Sequence, residues 1–200
     1  MKNRMRFKSG LSAILFMGLL ILTDPHMILP CLIAAAFHEC GHLLFAYVLK
    51  IPIREMKVDL FGAHLSLSSA MISYRSEFFL CAAGPLFSFL LSKGIRQVML
   101  IGGTSIPIAV GSFLLGVEES SRFLGILNLI PVNGFDGSRM LCAFLASIFS
   151  PHIAECTVRL LTGIFLILLW GISVYLLLLT ESGLILFVFS FAMFCKIRFP

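Results

Sequence analysis

The chain has 200 residues, of which 59% are hydrophobic and only 12% charged, with a mean hydropathy of +1.03. About a quarter of an ordinary soluble domain is charged, so the composition excludes one and describes a chain made to sit in a bilayer. The formal net charge of +5 is carried at loops and termini, which reads as membrane orientation and not as a nucleic-acid surface.

The N-terminus carries Lys2, Arg4, Arg6 and Lys8 ahead of apolar Leu11 to Leu22. No small-x-small cleavage site follows, so an uncleaved first span is expected over about Ser9 to Thr23 rather than a signal peptide. A bilayer crossing needs about 20 predominantly apolar residues. Further spans are expected over about Met27 to Leu49, Phe78 to Leu91, Ile106 to Ile130, Val158 to Leu179 and Leu184 to Cys195. The fourth has polar interruptions at Glu118, Glu119 and Arg122; Glu118 and Arg122 stand at helical pairing distance, and the group reads either as a solvated break or as a lining for water access. The six cysteines form no C-x-x-C pair and read as small buried hydrophobes.

An even span count puts both termini on one side. Lys50, Arg54, Lys57, Arg75, Arg139 and Arg159 join the terminal cations there, against Lys93 and Arg96 on the other side. By the positive-inside rule both termini face the cytoplasm. Between the second and third spans the pattern changes. Met56, Val58 and Leu60 alternate with Lys57 and Asp59, and beyond Phe61-Gly62-Ala63, Leu65 and Leu67 alternate with His64, Ser66 and Ser68. Period two on both sides of a glycine-containing turn predicts a small cytoplasmic-side β-hairpin, either a loop cap or an edge that pairs with an extended substrate. His64 reads as a solvent-facing hairpin residue. The fold class expected is thus an all-α polytopic membrane protein, with about six transmembrane helices and this hairpin after the second.

The second span contains Phe37-His38-Glu39-Cys40-Gly41-His42, an H-E-x-x-H pattern. Helical positions four apart lie one turn along on nearly the same face, so His38 and His42 can reach one metal ion. Glu39 falls beside that face and can act as general base on the attacking water. Ionisable groups inside a membrane helix are costly and mark function. The bland reading is a polar contact in which the three residues satisfy one another.

Catalytic zinc sites have three protein ligands and an open position. Most of the remaining acids lie in the hairpin region or at segment ends; Asp136 follows Pro131, which ends or kinks a helix, and is flanked by Gly134 and Gly137, which permit tight turns. Non-helical backbone at membrane depth must be buried in protein or line a wet cavity. A turn aspartate at the membrane interface is an equally good reading of those residues alone.

Two motifs resemble the site-2 protease family of intramembrane metalloproteases. His38-Glu39-Cys40-Gly41-His42 matches its HExxH, and Asn128-Leu129-Ile130-Pro131 followed by Asp136-Gly137 matches its N-x-x-P-x-x-x-x-D-G. Ala82-Ala83-Gly84-Pro85-Leu86 is similar to its Gly-Pro segment on the intervening span. The resemblance runs from about Leu32 to Met140 and is to a compact bacterial member, similar to proteases that process sporulation factors. It implies that His38, His42 and Asp136 bind Zn2+, that Glu39 activates water, that Asn128 lies near the site and holds the substrate backbone or polarises its carbonyl, and that the hairpin guides substrate as an added strand. It also implies a membrane-anchored regulator as substrate, such as an anti-sigma factor or a pro-sigma factor. Ser88 stands where many members carry Asn, and Ser138 replaces a second Gly.

The whole chain, 1–200, is expected to be one transmembrane metalloprotease domain with additional spans over 158–195. Regulation is expected from membrane partners or prior substrate trimming. The rival readings are a metal or ion transporter and a catalytically silent membrane binding protein. Binding zinc does not need Glu39, so replacing it separates the three.

Overall fold

In the computed structural model the described residues are 7–9, 25–51, 53–59, 62–67, 72–179, 187–188 and 190–191. The chain is mostly helical. A 3-10 turn, Pro25–Met27, leads into helix α1, Ile28–Val48. Pro30 sits in its first turn, where a missing N–H costs nothing. Helix α1 ends with Lys50 at φ 53°: the Ile51 amide donates to the Ala46 carbonyl (2.9 Å) and the Lys50 amide to that of Tyr47 (3.1 Å). These are the two bonds of a Schellman ending, made with lysine where glycine is usual.

Strands β2, Ile53–Asp59, and β3, Gly62–Leu67, pair antiparallel, with Lys57 opposite His64 and Asp59 opposite Gly62. Strand β1, Phe7–Ser9, pairs parallel with β2 at Met56 to Val58, giving the order β1-β2-β3. That third strand is not visible in the alternation pattern, because the pairing joins segments far apart in the chain.

Helix α2, Tyr74–Gly102, starts at Ser73, whose hydroxyl accepts from the Ser76 amide (3.4 Å), and carries Glu77 in its first turn. It runs eleven residues beyond the expected end at Leu91 and takes Lys93 and Arg96 onto the helix. Lysine and arginine are good helix formers, so a cation that ends an apolar run does not end a helix. Helix α3, Ile108–Leu129, passes through Glu118, Glu119 and Arg122 without a break. It stops one residue before Ile130, which precedes Pro131 and is extended (φ −65°, ψ 131°).

Helix α4, Asp136–Ile148, follows a turn in which Gly134 has φ 109°. It has no long apolar run and was not anticipated from the hydropathy pattern. Helix α5, Pro151–Leu179, begins about seven residues earlier than its apolar stretch suggests, with proline at its first position. Val132 and Phe135 are buried against Leu166 of α5, so the turn before α4 is clamped from the C-terminal side.

Among the described residues, three segments are long and apolar enough to cross a membrane: Pro25–Val48, Tyr74–Ser105 and Pro151–Leu179. The expected first span lies outside the described residues apart from Ser9, as does most of the sixth. Of the latter, Ser190 is buried with its hydroxyl 3.0 Å from that of Ser173 on α5.

Candidate metal centre

Helix α1 turns His38 and His42 into the bundle, where both are buried. Helix α2 crosses this face closely: a Cβ on Gly41 would lie 2.6 Å from the Ala83 carbonyl oxygen. Small residues permit that approach. Asp136 arrives from the other side as the first residue of α4. A helix N-terminus favours a carboxylate there. The Cβ of any residue but glycine at 137 would collide with the Leu129 carbonyl and stand 2.8 Å from the Ile130 oxygen, so the Asp-Gly pair lets the α4 start fold back on the end of α3.

The three side chains meet. His38 Nε2 is 3.1 Å and His42 Nε2 3.0 Å from Asp136 Oδ2, and the two Nε2 atoms are 3.3 Å apart. These are the only three metal-ligating groups within 4.8 Å of one another among the described residues. Each Nδ1 is engaged elsewhere: His42 Nδ1 donates to the Leu80 carbonyl (2.8 Å), and His38 Nδ1 is 2.9 Å from Ser88 Oγ. A neutral His42 whose Nδ1 donates to Leu80 presents a bare Nε2 lone pair to the carboxylate, and His38 presents the same face in the tautomer whose Nδ1 donates to Ser88.

Three lone-pair donors at these distances repel unless a cation lies among them. Ligand atoms about 2.05 Å from a tetrahedral ion stand about 3.3 Å from each other, close to the separations found. The space is kept by Gly84 on α2, where a Cβ would lie 2.6 Å from His38 Nε2 and closer still to His42 Nε2. The residues therefore fit zinc by donor type and spacing.

Glu39 is half-buried beside His38. Asn128 is buried on α3, with Nδ2 donating to the Leu124 carbonyl (3.0 Å) and not to the three-residue cluster. Glu118 faces inward and contacts Arg96 of α2 at 3.9 Å, whereas Glu119 and Arg122 are exposed; the expected Glu118–Arg122 pairing gives way to a cross-helix one. His64 belongs to β3, opposite Lys57. Beside the first turn of α4 a cavity of about 300 Å³ is lined by Glu77, Asn133, Arg139, Cys142, Glu155 and Arg159, among others, with Arg139 donating to Glu77 (3.2 Å).

Ser88, the Leu80 carbonyl, Gly84 and Thr162 were not singled out for these roles. The Gly-Pro segment was the available signal for Gly84. Nothing local marks Thr162, whose hydroxyl accepts from the Asn133 amide across 29 positions (2.9 Å).

The chain matches no model of a known protein family. It is 33% identical over 106 residues to a Synechocystis protein named "putative zinc metalloprotease", and 28% identical over 120 residues to Rip3 of Mycobacterium tuberculosis, which bears the same description. Those matches cover 52% and 60% of this chain but only 27% and 30% of the relatives, so the chain spans less than a third of their length. Superposition on the site-2 protease from Methanocaldococcus jannaschii covers 97% of this chain and 93% of that one, with a TM-score of 0.67 at 19% identity. The chain has the site-2 protease fold. Within that fold, the HExxH helix, the Gly-Pro helix and the Asp-Gly turn are the three elements that converge here.

Proposed function

We propose that this chain is an intramembrane zinc metalloprotease that hydrolyses a peptide bond of a membrane-anchored protein substrate within or near the bilayer. One observation carries the reading: two imidazoles on an apolar helix and a carboxylate 94 residues beyond the second of them meet with their Nε2 and Oδ2 atoms within 3.3 Å of one another. Zinc bound there would polarise the scissile carbonyl and acidify water. His38, His42 and Asp136 hold the metal. The Leu80 carbonyl and the Ser88 hydroxyl keep the imidazole rings turned toward it. Glu39 takes the proton from the attacking water and delivers it to the leaving amine nitrogen. Asn128 spends one N–H on Leu124 and keeps a second N–H and its carbonyl oxygen for the substrate backbone.

The wider reading is of one metalloprotease domain over the whole chain, in the cell membrane, with about six spans and cytoplasmic termini. The parallel pairing of β1 with β2 supports it. Residues 7–9 and the hairpin then share one side of the bilayer, so the chain between them crosses an even number of times, and α1 needs a second span before it. Strand β3 is the edge of the sheet opposite β1, and it is the edge to which an extended substrate would add.

Glu39→Gln in purified protein is the test. It should retain zinc and lose cleavage of a membrane-tethered substrate. Cleavage at the wild-type rate by Glu39→Gln would refute the reading, and metal transport that survives the substitution would favour a transporter instead.

A further inference from the structure

Helices α2 and α5 are each 29 residues long, which is about 44 Å at 1.5 Å per residue. A tilt of about 20° leaves about 41 Å along the membrane normal. The hydrocarbon core is about 30 Å thick, so a helix centred on it stands proud by about 6 Å, or about four residues, at each end. Glu77 is the fourth residue of α2 and Glu155 the fifth of α5, so both carboxylates lie at the boundary between hydrocarbon and headgroups. Arg159 lies one turn deeper on α5. The starts of α2 and α5 share one end of the bundle, since both line the cavity of about 300 Å³ beside the first turn of α4.

Four charged side chains line that cavity, two of each sign: Glu77, Arg139, Glu155 and Arg159. Arg139 spends one guanidinium nitrogen on Glu77 at 3.2 Å. Glu155 and Arg159 stand four apart on α5, in the order that favours an ion pair on a helix. Yet neither enters an ion pair among the described residues. An unpaired arginine one turn inside the hydrocarbon boundary is costly. Its methylenes can lie in the apolar layer while the guanidinium turns back to the interface, and the anion abundant at that depth is the phosphate of a phospholipid. Phosphate can take Arg159 together with the N–H groups that Arg139 does not spend on Glu77. That leaves Glu155, which calls for a cation with N–H donors on the same ligand. Ethanolamine supplies one. Choline is cationic but has no N–H, and glycerol has no charge, so a phosphoglycerol headgroup would bring a net anion to an unpaired carboxylate.

We propose that the cavity between the starts of α2, α4 and α5 binds the headgroup of a phosphoethanolamine lipid, with its phosphate on Arg159 and Arg139 and its ammonium on Glu155. The site is separate from the three-residue cluster and does not depend on what the chain cleaves. It rests on α2 and α5 crossing the bilayer, which brings the cavity to the depth of the headgroups. The Arg139–Glu77 pair fixes the wall formed by α2 and α4, and the one-turn separation of Glu155 and Arg159 on α5 matches a ligand whose two charges are joined but apart.

The test counts retained lipid by native mass spectrometry. The full chain is released from nanodiscs holding equal parts of phosphatidylethanolamine, phosphatidylglycerol and phosphatidylcholine with the same acyl chains. Wild type should retain one phosphatidylethanolamine with at least about tenfold preference over the other two, the worth of one charge-assisted hydrogen bond. Arg159→Gln should lose that lipid. Glu155→Gln should keep a phospholipid and lose the preference for ethanolamine. Both residues are exposed, so neither change strains the fold, and Arg122→Gln, exposed on α3 outside the cavity, is the control that should match wild type. Equal retention of the three lipids, or full retention of phosphatidylethanolamine by Arg159→Gln, overturns the proposal, as does the same loss in Arg122→Gln. Soluble glycerophosphoethanolamine and inorganic phosphate are then added as competitors. Displacement by inorganic phosphate as effective as by glycerophosphoethanolamine would make the cavity a site for a free anion and overturn the headgroup assignment.

Discussion

Gly84→Ala puts one methyl group where the metal centre has its open space. The new Cβ would lie 2.6 Å from His38 Nε2, closer to His42 Nε2, and 2.7 Å from His42 Cε1. Cβ contacts under 3.0 Å essentially never occur, so both rings must retreat by several tenths of an ångström at least. Metal–ligand distances tolerate about ±0.2 Å. Retreat by rotation would also break the Nδ1 contacts to Ser88 and Leu80, each of a kind worth about 10- to 100-fold in metal affinity. Zinc affinity should therefore fall by more than about 100-fold. Helix propensity pulls the other way, because alanine is better than glycine by about 1 kcal/mol in a helix interior, so the loss cannot be charged to the backbone. Elemental analysis after gel filtration in detergent gives the zinc content, and chelator competition the affinity. Gly94→Ala on the same helix, where a Cβ meets nothing within 4 Å, should keep its zinc and gain a little stability. Stoichiometric zinc of wild-type affinity in Gly84→Ala would refute the placement of the metal among the Nε2 atoms.

Asp136→Ala removes one of three ligands and should lose zinc through the same gel filtration, while retention of full occupancy would move the third ligand elsewhere. Ser88→Ala should weaken zinc about 10- to 100-fold by freeing the His38 ring, an effect seen by chelator competition and independent of any substrate. Thr162→Val removes the acceptor for the Asn133 amide and should cost about 1 kcal/mol, read as a lower thermal midpoint. Because that bond holds the turn before Asp136, zinc affinity should fall with it.

The cluster of His38, His42 and Asp136 is legible in the sequence because it is written in short-range terms. A four-residue spacing puts His38 and His42 on one helical face, and a proline and two glycines announce the break at Asp136. Helix ends were less legible. A hydropathy reading stops at Lys93, but a long side chain can lay its methylenes along the helix and carry its charge outward, and α2 continues to Gly102. Helix α4 escaped notice because its 13 residues fall short of any span and Asp136 stands at its start, not in a loop. The partner of Glu118 is hidden from the sequence for a different reason. Spacing along one helix brings Arg122 within reach, whereas the neighbouring helix decides which way Glu118 faces, and the antiparallel register with α2 offers Arg96 instead. Pairings of this kind, like β1 with β2 or Asn133 with Thr162, depend on which distant segments meet, and no local pattern encodes that.

The position of Asp136 is set in part from beyond the region whose motifs resemble the site-2 proteases. His38 and His42 are fixed by α2, through Leu80 and Ser88. Asp136 is fixed by α5, through the packing of Val132 and Phe135 on Leu166 and through the bond from Asn133 to Thr162. Helix α4 also packs on α2, where Arg139 donates to Glu77 (3.2 Å), so α2 braces both the imidazoles and the start of α4. An ion bound among the three side chains would tie α1 to α4 across most of the chain, so its binding energy would also be packing energy between those helices. That makes α5, remote from the HExxH sequence, part of what positions Asp136 against the two imidazoles.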